Sequence, residues 1–303
     1  MRKVDVFILS GFLGSGKTTL LRQLLQEEKE HGRNVGVIMN EAGETAVDSE
    51  VLPNEVPLAE LLNGCVCCTI QGQLEGQLEE MVSSYTLDAI YIETTGIAHP
   101  IEVLDGCITP SLSERITVRS IITVVNSKLL LELDSLSNRA QKLFLEQIRH
   151  GDLLLLNKED LLTEDEKANT LMKVQMLNEG AKTILTTQAR VPLSYILTQT
   201  RSRTASHEPT HMHNHLHIET FSYHEDSAFN GAKLEDFLKG LPQSVYRVKG
   251  YVRLQGNDQL YSLQYAYSTP LLMPVELQAK PSLVFIGENL QPQMLEKGLN
   301  SAI

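Results

Sequence analysis

The segment GFLGSGKT at residues 11–18 constrains the fold more than any other part of this sequence. It matches the phosphate-binding pattern G-x4-G-K-[ST], follows the apolar run Val4–Ser10 and opens the helical pattern Lys17–His31. In this order, a glycine-rich loop turns backbone N–H groups and a helix N-terminus toward an anion. The sequence therefore predicts a strand, a loop and a helix that together bind the phosphates of a nucleotide.

Seven residues of this loop are candidate nucleotide ligands: Gly11, Gly14, Ser15, Gly16, Lys17, Thr18 and Thr19. The amino group of Lys17 is expected to bridge β- and γ-phosphate oxygens and to act in catalysis, and the Thr18 hydroxyl is expected to hold Mg²⁺. The segment ETTG at 93–96 ends another apolar run, Ala89–Ile92. Glu93 is a candidate catalytic residue that holds Mg²⁺ through water, and the Gly96 N–H is a candidate γ-phosphate ligand.

A further apolar run, Val35–Asn40, ends in the segment NEAGE at 40–44. This segment is the predicted first switch loop, and its carboxylates, Glu41 and Glu44, are candidate catalytic residues. The alternative is that both are solvated side chains of an ordinary loop.

The segment NKED at 157–160 follows the apolar run Leu153–Leu156 and indicates which base the nucleotide carries. The carboxylate of Asp160 can accept hydrogen bonds from N1–H and the 2-amino group of guanine, whereas adenine would leave it unpaired. Unpaired buried polar groups give enzymes large discrimination between ligands. We therefore predict that Asn157, Lys158 and Asp160 recognise guanine, with GTP and GDP as the ligands.

Short apolar runs alternate with helical patterns over residues 1–200, which is typical of a mainly parallel sheet between helices. We predict an α/β P-loop domain over 1–200, a histidine-rich linker over 201–214, and a smaller α+β domain with an antiparallel sheet over 215–303. The predicted helices of the first domain are Lys17–His31, Gln73–Ser84, Arg139–Arg149 and Glu164–Glu179.

Three of the four cysteines lie in the segment GCVCC at 64–68. Without an export signal they are expected to be thiols or metal ligands in a reducing cytoplasm. Gathered by a turn across Val66–Cys67, the thiolates of Cys65, Cys67 and Cys68 would bind Zn²⁺ and leave a fourth position for water, a carboxylate or a histidine. The alternatives are a redox pair and buried structural thiols. Cys107 stands alone and is expected to be a small buried hydrophobic residue.

Alternating histidines mark the predicted domain boundary: His211, His213, His215 and His217, preceded by His207. In an extended segment the four would share one face, and neutral imidazoles bind metals. Because a flexible segment loses entropy when it is ordered, we expect weak, auxiliary binding. The alternative is a solvated linker that is merely rich in histidine.

The net charge of −12 disfavours a nucleic-acid partner, whose phosphates need Lys and Arg contacts. No run approaches the ~18 consecutive apolar residues of a membrane span. The N-terminal segment lacks a small-residue cleavage site before the glycine loop. We therefore expect a cytoplasmic protein that acts without nucleic acid or a membrane.

Five motifs occur in the order GFLGSGKTT (11–19), NEAGE (40–44), GCVCC (64–68), ETTG (93–96) and NKED (157–160). In this order they resemble the CobW-type metallochaperone GTPases, relatives of the GTPases that help insert nickel into hydrogenase and urease. The segment RVKG (247–250) resembles part of the family's C-terminal domain, so the resemblance covers the whole chain. Members commonly carry phenylalanine in place of Ala42 and aspartate in place of His99. For His99, an added metal ligand and an ordinary loop side chain are both open.

The resemblance implies GTP hydrolysis with Mg²⁺, zinc or a similar metal at the cysteines, and metal transfer to a client metalloprotein. Slow intrinsic turnover is expected, because no glutamine that would position the attacking water follows ETTG and no arginine finger can be assigned. Two alternatives are a GTPase that inserts cobalt, iron or nickel, and a non-enzymatic zinc buffer or sensor with bound nucleotide. The second domain is expected either to recognise the client or to mediate assembly into a homo-oligomer.

Overall fold

The computed structural model describes residues 3–40, 57–61, 67–198, 218–242, 244–257, 259–266, 269–275, 280–288 and 290–303. Contacts divide the chain into two units, Met1–Cys107 with Arg115–His215 and Ile108–Glu114 with Leu216–Ile303. Within the described ranges, no helix combines the length and the apolar character that a membrane span requires.

The first unit is built on a sheet of seven parallel strands: β1 (Val4–Ser10), β2 (Val35–Asn40), β3 (Leu58–Leu61), β4 (Ala89–Glu93), β5 (Ile116–Asn126), β6 (Leu153–Asn157) and β7 (Lys182–Thr186). The spatial order is β3-β2-β4-β1-β5-β6-β7. Strands β4 and β6 are buried along their whole length. A strand covered on both faces reads as a continuous apolar run, as these two do in the sequence.

The described residues of this unit form the α-helices α1 (Lys17–Glu30), α2 (Cys67–Ser84), α3 (Pro100–Cys107), α4 (Ser127–Leu131), α5 (Asn138–Arg149), α6 (Glu164–Leu177) and α7 (Leu193–Leu197). On one face, α1 and α7 form a buried cluster with the sheet that includes Phe7, Leu20, Leu24, Leu155 and Ile196. On the other face, α5 and α6 form a second cluster that includes Phe144, Ile148, Leu154, Leu156 and Val174. Neighbouring residues of β6 enter different clusters because side chains alternate along a strand.

A buried polar pair joins α1 to β4. The Tyr91 hydroxyl donates a 2.6 Å hydrogen bond to Glu28 Oε1, and Arg33 donates to the same oxygen at 3.0 Å. Tyr91 and Glu28 are both fully buried, and burial raises the pKa of each. Because an unpaired buried carboxyl would cost free energy, these hydrogen bonds are part of what allows α1 to pack here.

The second unit contains a five-stranded antiparallel sheet with two helices. Its strands are β8 (Ile218–His224), β9 (Val245–Arg253), β10 (Leu260–Ala266), β11 (Thr269–Val275) and β12 (Ser282–Glu288), in the spatial order β11-β10-β9-β12-β8. Helices α8 (Gly231–Lys239) and α9 (Pro292–Asn300) cover one face of it. The core includes Phe229, Leu234, Val248, Phe285 and Leu295.

The predicted fold class is confirmed, with a parallel α/β unit and a smaller antiparallel α+β unit. Helix α2 begins at Cys67, earlier than the predicted Gln73, although Gly72 has a low helix propensity. Strands β3 and β11 have no clear strand pattern in the sequence. Strand β3 is too short to show a period, and β11 contains two prolines that an edge strand tolerates. The predicted linker over 201–214 lies outside the described residues.

Candidate functional site

The loop between β1 and α1 has a backbone that glycine adopts most readily. Gly11 and Gly16 have φ angles of 137° and 113°. A Cβ on Gly11 would lie 2.2 Å from Val124 O, and a Cβ on Gly16 would lie 2.5 Å from Asn157 Nδ2. Gly16 caps α1 without a side-chain hydrogen bond. The N-terminal N–H groups of this helix are therefore suited to an anion such as a phosphate.

Lys17 folds back over this loop. Its side chain is buried, and Nζ donates to Gly11 O at 2.9 Å and to Phe12 O at 3.3 Å. Burial lowers the pKa of Lys17, and the nearby charge of Glu93 acts in the opposite direction. The amino group thus lies inside the loop, where phosphate oxygens can replace the two carbonyl acceptors.

Thr18 and Glu93 meet at the carboxyl ends of the central strands. The Thr18 hydroxyl donates to Glu93 Oε1 at 2.6 Å, and Glu93 is the last residue of β4. Hydroxyl and carboxylate oxygens are the ligand type that Mg²⁺ prefers. The structure therefore brings together the two residues that the sequence analysis assigned to magnesium.

The remaining loop residues lie beside them. Gly14 has a φ angle of 67°, Ser15 is buried, and Thr19 is exposed on the first turn of α1. The loop after β4 also reaches this point, because a Cβ on Gly96 would lie only 2.6 Å from Leu13 N. A movement of the phosphate loop would therefore displace the backbone at Gly96.

Gln147 of α5 holds the loop after β4 from its other side. Its buried amide nitrogen donates to Gly96 O at 3.2 Å and to Ala98 O at 3.1 Å. Gln147 could not be predicted from the sequence, because one glutamine in an amphipathic helix is not part of a recognisable motif. Its neighbours are known only once the fold places α5 beside Gly96.

Asn157 connects three loops at the other end of the site. Its Nδ2 donates to Ser15 O at 2.7 Å, and its Oδ1 accepts from Ala189 N at 2.8 Å. Lys158 has a φ angle of 64°, which turns the chain sharply after β6. Asp160 follows in a short 3₁₀ helix and is exposed, so its carboxylate is available to a base.

The loop after β7 also lies at this site, although no motif in the sequence marks it. Gln188 and Ala189 have φ angles of 56° and 53°, and Gln188 O accepts a 2.9 Å hydrogen bond from Gln23 of α1. The local sequence TTQA has no recognisable pattern. The available signal was its position after a strand, since parallel strands end at the same edge of the sheet.

Three side chains of types that commonly bind metals lie close together where helix α5 meets the loop after β4. One ligand atom each from His99, Glu146 and His150 lies within 4.8 Å of the other two. His150 Nε2 is 3.1 Å from Glu146 Oε2, and the imidazole centroids of His99 and His150 are 5.3 Å apart. Burial alone would raise the pKa of Glu146, but Arg149 and His150 outweigh it and lower that pKa. His99 also accepts a hydrogen bond from Ile101 N at 3.3 Å, so both interpretations of His99, an added ligand and an ordinary loop side chain, stay predictions.

Several predicted residues fall outside the part of the chain that the structure describes: Glu41, Glu44, Cys65, His207, His211, His213, His215 and His217. Cys67 and Cys68 form the beginning of α2, and the structure describes their backbone. Cys107 is buried in α3, as predicted.

Comparison with known proteins agrees with this arrangement. The nucleotide-binding domain of CobW/HypB/UreG matches residues 5–185, and the cobalamin synthesis protein cobW C-terminal domain matches residues 218–303. The chain is 30% identical to "Zinc chaperone CobW" of Pseudomonas aeruginosa, over 87% of this chain and 80% of that protein. It is 27% identical to "Zinc-regulated GTPase metalloprotein activator 1" of Dictyostelium discoideum, over 99% of this chain and 80% of that protein.

Among solved structures, the Zn(II)-bound YjiA GTPase from E. coli aligns over 100% of both chains, with 23% identity and a TM-score of 0.51. At that identity the likeness concerns the fold alone. The two family matches together span both units, and the phosphate loop, Glu93 and Asn157 lie within the first of them. The chain is therefore a P-loop GTPase that belongs to the CobW/HypB/UreG family.

Proposed function

We propose that this GTPase couples its nucleotide state to zinc bound at Cys65, Cys67 and Cys68, and that it transfers the zinc to a client metalloprotein. Two relatives support zinc as the metal, since they are named as a zinc chaperone and a zinc-regulated GTPase. A reducing compartment such as the cytoplasm would keep the three thiols available to the metal.

The packing of α2 against α3 is the observation that carries this proposal. Helix α3 follows directly after the loop that contains Gly96, and α2 begins at Cys67 of the cysteine motif. The two helices are in close contact, because a Cβ on Gly106 of α3 would lie 2.9 Å from the side chain of Leu74 of α2. A shift of the Gly96 loop on γ-phosphate binding would thus move α3 and, through it, the start of α2.

The phosphate chemistry is assigned to the residues around the β1–α1 loop. Lys17 would neutralise charge on the β- and γ-phosphates, and Thr18 and Glu93 would hold Mg²⁺, which neutralises further charge when bound. Glu41 and Glu44 are proposed to complete the first switch. Asp160 would accept hydrogen bonds from guanine, and Lys158 would border the same base.

The histidine segment has an auxiliary part in this proposal. His211, His213, His215 and His217 would bind zinc weakly and exchange it with the cysteine site or with the client. Weak binding suits transfer, because a flexible segment loses conformational entropy when it is ordered on a metal.

The test is a measurement of thermodynamic coupling between zinc and nucleotide. Binding of a non-hydrolysable GTP analogue is titrated with and without saturating Zn²⁺ in wild type, in Cys67→Ser and in Cys107→Ala. We expect zinc to change the analogue's affinity by about 5-fold or more in wild type, the usual range for coupled sites. Cys67→Ser should abolish this change. Cys107→Ala, which removes a buried thiol outside the motif, should retain it.

An unchanged affinity in wild type, with zinc shown to be bound at the cysteines, would overturn the coupling. Retention of the coupling in Cys67→Ser would overturn the assignment of the metal site. Repeating the titration with Co²⁺ and Ni²⁺ identifies the metal, because the correct cargo should give the largest coupling.

A further inference from the structure

The cluster of His99, Glu146 and His150 is not used by the proposed function, and it combines two sequence-distant segments. Glu146 and His150 lie one helical turn apart on α5, so that their side chains share a face of the helix. His99 comes from the loop after β4. The two segments are tied together by Gln147, which binds the carbonyl oxygens of Gly96 and Ala98.

The donor set has a definite metal preference. Two imidazoles and one carboxylate suit Zn²⁺, Co²⁺ and Ni²⁺ better than Mg²⁺, which prefers oxygen ligands. Their separation is already short, with ligand atoms within 4.8 Å of one another. Little rearrangement is therefore needed to bring three ligands to ~2.0–2.2 Å from a common centre.

The side chains of this cluster already make hydrogen bonds to one another and to the backbone. His99 Nδ1 accepts from Ile101 N at 3.3 Å, and the bond between His150 Nε2 and Glu146 Oε2 is 3.1 Å long. The bond from Ile101 is longer than the usual range for hydrogen bonds, whereas the bond between His150 and Glu146 lies within it. Arg149 binds the other carboxylate oxygen, Glu146 Oε1, at 2.7 Å and would keep the carboxylate oriented.

An entry path for a hydrated ion is present. His99 and Glu146 line a groove of ≈ 840 Å³ whose walls also include Phe12, Ile97 and Arg139. His150, by contrast, is buried at the base of the cluster. Two of the three ligands, His99 and Glu146, therefore face the groove, from which water or an exchanging ligand could complete a tetrahedral site.

We propose that His99, Glu146 and His150 form a second binding site for a divalent transition metal, separate from the cysteine motif. Bound metal would fasten the loop after β4 to α5. Because that loop touches the phosphate loop at Gly96, metal at this site would restrict the segment that responds to the γ-phosphate. The site itself does not depend on zinc binding by the cysteines.

The site is tested with Co²⁺ on nucleotide-free full-length chain in which the other candidate ligands have been removed. The background variant carries Cys65→Ser, Cys67→Ser and Cys68→Ser, together with asparagine in place of His207, His211, His213, His215 and His217. Its Co²⁺ spectrum should lack thiolate-to-cobalt charge transfer, while visible d–d absorption should still report one bound ion. Glu146→Gln, which is nearly isosteric, and His99→Asn should each weaken that binding by roughly 100-fold, at least as much as loss of a metal's outer-shell partner.

The matched control is His224→Asn, since His224 lies 3.7 Å from Glu114 and forms a histidine–carboxylate pair that has no third ligand among the residues the structure describes. This substitution should leave Co²⁺ affinity unchanged. Absence of Co²⁺ binding in the background variant would overturn the proposal. So would an affinity that Glu146→Gln and His99→Asn both leave unaltered, with folding of each verified by circular dichroism. Either result would leave the coupling test on Cys67→Ser unaffected, so the two proposals can fail separately.

Discussion

At the scale of single residues, the nucleotide site depends on contacts between loops that lie far apart in the sequence. Asn157 binds Ser15 on one side and Ala189 on the other, while Gly96 lies against Leu13. Asn157 ends a strand and the others lie in loops that follow a strand, so all of them are at the edge where the loops of a parallel sheet meet. A small change in one loop therefore displaces the others.

Gly96→Ala is expected to lower GTP hydrolysis at least about 10-fold, because the added methyl group would collide with the backbone of Leu13 at 2.6 Å. Single-turnover hydrolysis of GTP by the purified variant measures this effect. Gly76→Ala is the matched control, since a Cβ on Gly76 in α2 would meet no atom of another described element within 4 Å. It should retain wild-type turnover and gain up to about 1 kcal/mol of stability from its higher helix propensity. Equal turnover in both variants would show that Gly96 is not tightly placed.

The sequence alone is sufficient to predict those site residues that belong to contiguous motifs. Lys17, Thr18, Glu93 and Asn157 could be predicted because a fixed spacing after an apolar run implies a fixed position at a strand end. Gln147 could not be predicted in this way. Its function depends on a partner 51 residues away, a contact that only the packing of α5 creates.

At the scale of secondary structure, prediction succeeded where burial produces a strong pattern. Strands β4 and β6 are buried throughout and read as apolar runs, whereas the prolines of β11 obscure a strand that lies at the edge of its sheet. The predicted start of helix α2, at Gln73, lies after its actual start at Cys67. The reason is that the residues between these two positions show little amphipathic periodicity. Its early start matters, since it places Cys67 and Cys68 within a helix.

Tyr91→Phe tests how α1 is held on β4. The substitution leaves the buried Glu28 carboxyl without its 2.6 Å partner, which should reduce the free energy of unfolding by about 1–3 kcal/mol at neutral pH. Urea denaturation measures the loss. Tyr85→Phe is the control, because Tyr85 is 51% exposed and its loss should change stability by less than about 0.5 kcal/mol.

The same variant has an expected pH dependence. Burial already raises the pKa of Glu28, and the Tyr91 hydrogen bond opposes that rise. Removing the hydrogen bond should raise the pKa further, so the cost is largest where Glu28 is ionised. The cost should shrink as pH falls through the raised pKa, because the protonated carboxyl is less costly to bury. A difference that grows on acidification would contradict this account.

At the scale of the whole molecule, the chain consists of two units with separate sheets and separate cores. The family matches end and begin on either side of residues 186–217, consistent with a division into two parts. All of the described nucleotide-site residues belong to the first unit. Ligand binding should therefore appear as stabilisation of that unit.

Guanine nucleotides are expected to raise the thermal unfolding temperature of the protein, whereas ATP at the same concentration should not. By mass action, GDP at 100 times its dissociation constant contributes about 2.7 kcal/mol. Asp160→Ala should remove the difference between guanine and adenine nucleotides, because the carboxylate is exposed where the base would lie. Differential scanning calorimetry with GDP and ATP provides the measurement. Equal stabilisation of wild type by both nucleotides would contradict guanine recognition by Asp160.

The position of Lys17 has a consequence for the kinetics of nucleotide exchange. Its amino group donates hydrogen bonds to two carbonyl oxygens of its own loop. These hydrogen bonds hold the loop in its curved conformation before a nucleotide binds. When a nucleotide binds, its phosphate oxygens replace the carbonyl oxygens as acceptors for the Lys17 amino group. The loop does not need to become ordered in a separate step. A loop that is preorganised in this way should give an association rate limited by encounter and orientation, near 10⁵–10⁷ M⁻¹s⁻¹ in order of magnitude. Differences in affinity between nucleotides would then arise mainly from their dissociation rates.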